Sequence, residues 1–188
     1  MTSIGAVILA GGDSTRFGKN KLLVKLKGVP ILLRVISAIP QPRIIVAGKY
    51  AVDIIAQFPD EIVIYNPNWT LGMSTSLKLG LRYFQDKDGV LVALGDMPLL
   101  TREIVEKIVS SYTNNCVAVV PTYKGKWGNP VILSRALFSE VEKLQGDVGA
   151  KNILRRKMEN ICFVETGEEV LIDVDTEADL VEVSRRLP

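Results

Sequence analysis

The chain has 188 residues, 47% apolar and 23% charged, the balance of one globular domain long enough to bury a sizeable core. A formal net charge of +2 is too even to announce a nucleic-acid surface, and no apolar run approaches the ~20 residues of a membrane helix. There is no histidine, which excludes Ser-His and Cys-His nucleophiles, zinc-histidine sites and imidazole acid-base work. Carboxylates, lysine, arginine, hydroxyls, backbone amides or an oxygen-held metal are left to carry any chemistry. Residues 1–3 lead into a strand pattern without the features of a signal peptide, so a cytoplasmic location is expected.

Residues 4–9 predict a buried first strand, closed by Ala10-Gly11-Gly12. A short helix is expected over 31–39, and β-branched strands over 43–47 and 61–65 with a helical stretch between them. Residues 73–84 place Met73, Leu77, Gly80, Leu81 and Phe84 on one helical face. Residues 89–94 read as a second fully apolar strand, and Thr101 as the N-cap of a helix turning Ile104, Val105, Ile108, Val109 and Tyr112 inward. Strands at 116–120 and 130–133, helices at 134–144 and 147–157, strands at 161–164 and 170–174, and a helix at 176–187 complete the pattern. Cys116 and Cys162 fall at or near the start of strand-like runs and are expected as buried apolar filler, not as a disulfide or zinc ligands. Arg155-Arg156-Lys157 and Arg185-Arg186 fit solvated helix faces.

Apolar strands alternating with helices predict an α/β fold: a three-layer, Rossmann-like sandwich around a mostly parallel sheet. One domain over 1–188 is expected, with 121–160 interrupting the alternation and forming a smaller lobe over one end of the sheet. Such folds bind ligands at the carboxyl ends of the strands. Two polar features fall there. One is the loop over 10–21; the other is Gly95-Asp96-Met97-Pro98, following the strand at 89–94.

The loop after the first strand contains Gly11, Gly12, Arg16, Gly18 and Lys21. Adjacent glycines let backbone amides approach phosphate oxygens, arginine forks onto phosphate, and lysine neutralises it as a point charge. The loop is not a Walker A motif, since Asn20 stands where Ser or Thr should follow the lysine, and it lacks the dinucleotide spacing. That disfavours a GTPase-like switch. Asp96 reads either as a cap of the following turn or as a magnesium ligand beside the phosphates. In Asp173-Val174-Asp175-Thr176 the carboxylates alternate, so one is expected to face a metal while the other caps the final helix.

Together, Leu9 to Gly12 with Arg16 and Lys21, Leu94 to Pro98, and Asp173 to Thr176 resemble the molybdopterin nucleotidyltransferases, within the wider nucleotide-diphospho-sugar transferase-like superfamily. The likeness continues through Gly72 to Leu77, Gly128 to Val131 and Gln145 to Lys151, and so covers nearly the whole chain. It implies that Leu9, Ala10, Gly11 and Gly12 line the base and phosphates and that Arg16 and Lys21 hold the triphosphate. It implies Mg²⁺ on Asp96 and Asp175, with Asp173 the less favoured substitute, and a catalytic set of Arg16, Lys21 and Asp96. Lys124, Lys126, Trp127, Asn129 and Lys151 are the implied acceptor contacts.

The implied reaction moves a nucleoside monophosphate from CTP or GTP onto the terminal phosphate of molybdopterin, with handover of the product to a molybdenum apoenzyme. The Gly11-Gly12 pair is the guanylyl form, whereas Gly72 to Leu77 and Gln145 to Ala150 resemble the cytidylyl enzymes, the side favoured here. Those enzymes often carry histidine where Asn129 stands. The alternatives are a guanylyltransferase, a related enzyme acting on a sugar phosphate or cobinamide phosphate, and a non-catalytic nucleotide-binding regulator.

Overall fold

The computed structural model describes residues 2–187; Met1, at the head of the leading tripeptide, lies outside them. The chain runs β1 (Ile4–Ala10), a short hairpin of β2 (Lys25–Leu26) and β3 (Val29–Pro30), α1 (Ile31–Ala38), β4 (Arg43–Ala47), α2 (Ala51–Gln57) and β5 (Val63–Tyr65). It continues with α3 (Met73–Tyr83), β6 (Gly89–Leu94), α4 (Arg102–Ser110), β7 (Ala118–Tyr123), β8 (Lys126–Trp127) and β9 (Val131–Ser134). The last elements are α5 (Phe138–Val141), α6 (Lys151–Arg155), β10 (Ile161–Glu165) and α7 (Glu177–Arg186).

The main sheet has the order β10-β7-β9-β6-β1-β4-β5, with β8 paired to β7. β1 is parallel to both β4 and β6, β4 to β5, and β10 to β7, whereas β9 runs antiparallel between β6 and β7. Strand pleating divides the apolar residues between two faces. Ala6, Ile8 and Ala10 of β1 join the core under α1 and α4, while Val7 and Leu9 join the core under α3 and α6. Both faces are therefore covered, which gives the three layers and explains the nearly unbroken apolar strands. Among the described residues no helix is long and apolar enough to cross a membrane.

Thr101 does cap α4, its hydroxyl accepting from the Ile104 amide at 3.2 Å. Three expectations need correction. The segment 121–160 does not only lie over the sheet, because its strand β9 is built into the middle of it. Residues 170–174 form no strand: Glu168–Leu171 is a turn of 3₁₀ helix, and the chain beyond it has no regular structure up to Asp175. That stretch has strand-like composition, but the β10 edge is not continued by it.

Cys116 and Cys162 are joined as a disulfide, with Cα atoms 5.5 Å apart. Cys116 precedes β7, and Cys162 pairs with Val119 in the parallel β7–β10 ladder. Only that pairing brings two residues 46 apart in sequence within bonding reach. For a loop of this size the constraint on the unfolded chain is worth about 4 kcal/mol. Reduction, or the Cys116→Ser/Cys162→Ser double variant, should lower the melting temperature by about 10 °C in scanning calorimetry. Coincident melting curves with and without reductant would show that the crosslink contributes nothing.

Candidate active site

Because β1 and β6 are parallel and Leu9 pairs with Leu94, the loops that follow them leave the same edge of the sheet. The Gly95 amide donates to the Leu9 carbonyl at 2.9 Å, so Asp96 starts beside the Gly11-Gly12 turn. The segment leading into α7 is drawn to the same place: the Val174 amide donates to the Asp96 carbonyl at 2.9 Å. A cavity of about 610 Å³ opens here, lined by Gly11, Gly12, Arg16, Lys21, Asp96, Asp173 and Asp175 among others.

Lys21 sits at the end of the loop, on a turn capped by the Asn20 side chain, which accepts from the Leu22 amide. Its Nζ donates to Asp96 Oδ2 at 2.7 Å, to the Val174 carbonyl at 2.8 Å and to Asp175 Oδ1 at 3.1 Å. All three ammonium protons are thus spent on the protein's own oxygens. Burial alone would push this ammonium down, but the charge of Asp96 and hydrogen bonds to both aspartates outweigh it and hold Lys21 above the ordinary lysine range. Arg16 reaches Asp175 Oδ2 at 3.3 Å with its side chain 70% exposed, so that pair is weak and most of the guanidinium faces the cavity or solvent.

Asp173 and Asp175 do not point to opposite faces. Each offers a carboxylate oxygen within 4.8 Å of one from Asp96. The alternation rule fails because the segment is not a strand. Nor does either aspartate cap the last helix. Thr176 is the N-cap, in a capping box with Asp179, whose carboxylate accepts from the Thr176 amide at 2.7 Å. Burial, then the charges of Asp96 and Asp175, raise the Asp173 carboxyl above the usual range.

The donor set suits a hard divalent cation, which takes oxygen ligands. Asp96 Oδ1 is buried and has no hydrogen-bond partner among the described residues, an acceptor left over beside two further carboxylates. Such an orphan is costly unless something binds it.

A second cavity of about 240 Å³ adjoins the first, and the two share Leu9, Met73 and Leu94. Trp127, Asn129 and Lys151 line it, as does the start of α6. Lys124 and Lys126 are not brought there. The Lys124 ammonium lies 5.1 Å from the Tyr123 ring centre, and Lys126 is exposed on β8. Sequence reasoning passed over Asn66 and assigned no role to Ser76 or Asp147. Asp147 lines the larger cavity and accepts from the Met73 amide at 3.1 Å, tying 145–150 to the start of α3. Asn66 follows an apolar strand just as Asp96 does, and that signal could have found it.

The sequence profile of the MobA-like NTP transferase domain matches residues 6–161. The chain belongs to this family. It is 32% identical over 196 residues to a probable molybdenum cofactor guanylyltransferase of Thermococcus gammatolerans, covering 94% of this chain and 96% of that one. A protein of the same description from Pyrococcus horikoshii is 28% identical over 172 residues, covering 85% and 84%. Among solved structures, a nucleotidyl transferase from Methanothermobacter superposes with a TM-score of 0.83 at 20% identity, over 98% of this chain and 97% of that one. A Mycobacterium tuberculosis protein solved as a manganese complex superposes with a TM-score of 0.77 at 23% identity, over 99% and 100%. At these identities the structures speak to the fold alone, which this chain shares with them over nearly its whole length.

The MobA-like domain therefore presents a lysine clamped between two carboxylates. Lys21→Ala removes the only cation bonded to Asp96 among the described residues. It should lower unfolding stability by about 2 kcal/mol, read in urea titrations. Unchanged stability would show that the ammonium does not hold these segments together.

Proposed function

We propose that this MobA-like transferase moves the nucleoside monophosphate of GTP onto the terminal phosphate of a molybdopterin-type acceptor, releasing pyrophosphate. The observation that carries the reading is the meeting of Arg16, Lys21 and three carboxylates beside the Gly11-Gly12 loop. The guanylyl form is placed ahead of the cytidylyl form because the two relatives above, matched over most of their length, are described as guanylyltransferases, and because Gly11-Gly12 has the guanylyl pattern. CTP stays as the second reading on the strength of Gly72 to Leu77 and Gln145 to Ala150.

In this reading Leu9 to Gly12 line the base and phosphates, Arg16 takes the triphosphate through its exposed guanidinium, and Lys21 joins it by giving up one of its carboxylate bonds as the metal takes over that carboxylate. The α-phosphorus lies near Asp96. Asp96 and Asp175, with Asp173 close enough to share the load, would hold Mg²⁺; the ion supplies neutralising charge to the phosphoryl oxygens when bound. Backbone amides of the glycine loop, the exposed Arg16 guanidinium and the Lys21 ammonium stabilise the charge that builds in the transition state. An acceptor phosphate oxygen attacks the α-phosphorus, the bond to the bridging oxygen of the β-phosphate breaks, and pyrophosphate leaves. The attacking phosphate is already anionic at neutral pH, so no side chain needs to take its proton. The smaller cavity, with Trp127, Asn129 and Lys151, is the acceptor side. Its contact with the larger cavity through Leu9, Met73 and Leu94 supports a shared reaction point.

Pyrophosphate release should appear when the protein is mixed with Mg²⁺, molybdopterin and GTP. Release with CTP alone would move the assignment to the cytidylyl form, and release with neither would remove the transferase reading. Asp96→Asn keeps the side-chain volume but loses the charge; it should reduce turnover by at least about 100-fold, about 2.7 kcal/mol in the barrier, with the fold retained by circular dichroism. Near-normal turnover of that variant would take Asp96 out of the site.

A further inference from the structure

Between β10 and α7 the chain forms a strap that runs from the acceptor-side loop to the carboxylate cluster. It begins at Thr166, whose amide donates to the Thr122 carbonyl of β7 at 2.8 Å. It next meets the loop entering β9, where the Val170 carbonyl accepts from the Asn129 amide at 2.9 Å. It ends beside Asp96: the Val174 amide donates to the Asp96 carbonyl at 2.9 Å, and the Val174 carbonyl accepts from Lys21 Nζ at 2.8 Å. Val170 is 1% exposed and Val174 0%, both sunk in the core under α1 and α4. These two valines act as pegs. Only Leu171, Ile172 and Asp173 lie between them, a stretch of chain that spans at most about 14 Å.

Gly128 is what the first peg rests on. A Cβ on Gly128 would collide with the Val170 carbonyl oxygen and stand 2.5 Å from Val170 Cγ2, so a side chain there would push the strap away. Gly125, three residues earlier, is the converse case. Its φ of +76° calls for glycine, yet a Cβ there would meet nothing within 4 Å. Gly128 is thus required by the contact and Gly125 by the turn. The contact is made by the Gly128 backbone and the Asn129 amide, which leaves the Trp127 and Asn129 side chains to line the smaller cavity.

A displacement of Val170 has few places to go. Val174 is held by two backbone hydrogen bonds and a buried side chain, so the shift falls on Leu171, Ile172 and Asp173. Of these, Asp173 belongs to the cluster, with a carboxylate oxygen within 4.8 Å of those of Asp96 and Asp175.

We propose that Val170, seated on Gly128, is a positioning residue that sets the Asp173 carboxylate within reach of a cation shared with Asp96 and Asp175. This rests on the metal site of the reading above. Val170 itself lines neither cavity, so its effect runs through Asp173. Residues that hold a ligand in place without touching the metal affect its affinity nearly as the ligands do.

Mn²⁺ titration read by electron paramagnetic resonance tests this, without nucleotide and again with GTP, and with no acceptor present so that nothing turns over. Val170→Ala should weaken protein-bound Mn²⁺ about tenfold. Gly128→Ala, pressing on the strap from the other side, should weaken it as well. Asp173→Asn should also weaken Mn²⁺, and adding Val170→Ala to it should cost no more than about twofold further. Val105→Ala makes the same truncation in the same core, at a fully buried position on α4. It should lower the melting temperature comparably and leave Mn²⁺ affinity unchanged. Should Val170→Ala not fold, Gly128→Ala takes its place in the cycle with Asp173→Asn. Unchanged Mn²⁺ affinity in Val170→Ala, an equal loss in Val105→Ala, or full additivity of the Val170 and Asp173 changes overturns the inference. If the wild-type protein binds no Mn²⁺ in either condition, it is the cation site itself that fails, and the inference falls with it.

Discussion

The Lys21 ammonium gathers the candidate site. It bonds oxygens 75, 153 and 154 residues away in sequence, and so joins the loop after β1, the loop after β6 and the segment entering α7. Three carboxylates within 4.8 Å of one another would repel without it. The parallel pairing of β1 with β6 makes the meeting geometrically available, and the Val174-to-Asp96 backbone bond brings in the third segment. A polyphosphate entering this cluster brings negative charge of its own. The cation count at the site therefore decides whether carboxylates and phosphates can share it, which is the physical case for a divalent ion at the orphaned Asp96 oxygen.

What the sequence carried most clearly was local. Strand β1, strand β6 and the Thr101 cap follow from apolar runs and one hydroxyl, and the structure places them within a residue or so of expectation. The convergence of Gly11, Arg16, Lys21 and Asp96 was also legible, because strand ends in a parallel sheet share an edge. Two things were not. The disulfide depends on β10 lying beside β7, a pairing that spacing between two cysteines does not encode. The shared orientation of Asp173 and Asp175 depends on their segment escaping the sheet, although its alternation imitates a strand.

The glycine pair shows a similar gap between type and reason. Both glycines look equivalent in a phosphate-loop reading. In the fold only Gly11 is closely approached, by the Ser76 hydroxyl from α3. The same hydroxyl accepts from Asn66, a buried residue on neither the loop nor the helix. Composition signalled a tight turn, while the tertiary contact says which of the two positions has no room for a methyl group.

Strand β9 has a consequence for how such a scaffold diversifies. It runs antiparallel to β6, with Val131 opposite Val92, so the chain enters it from the edge where β1 and β6 end. Gly128 and Asn129 thereby reach the cavity edge from the opposite chain direction, on a segment separate from the loops that line the larger cavity. In the proposed reading, donor and acceptor recognition run through separate stretches of backbone. Selection can rewrite one partner's half of the cleft while leaving the machinery for the other half intact.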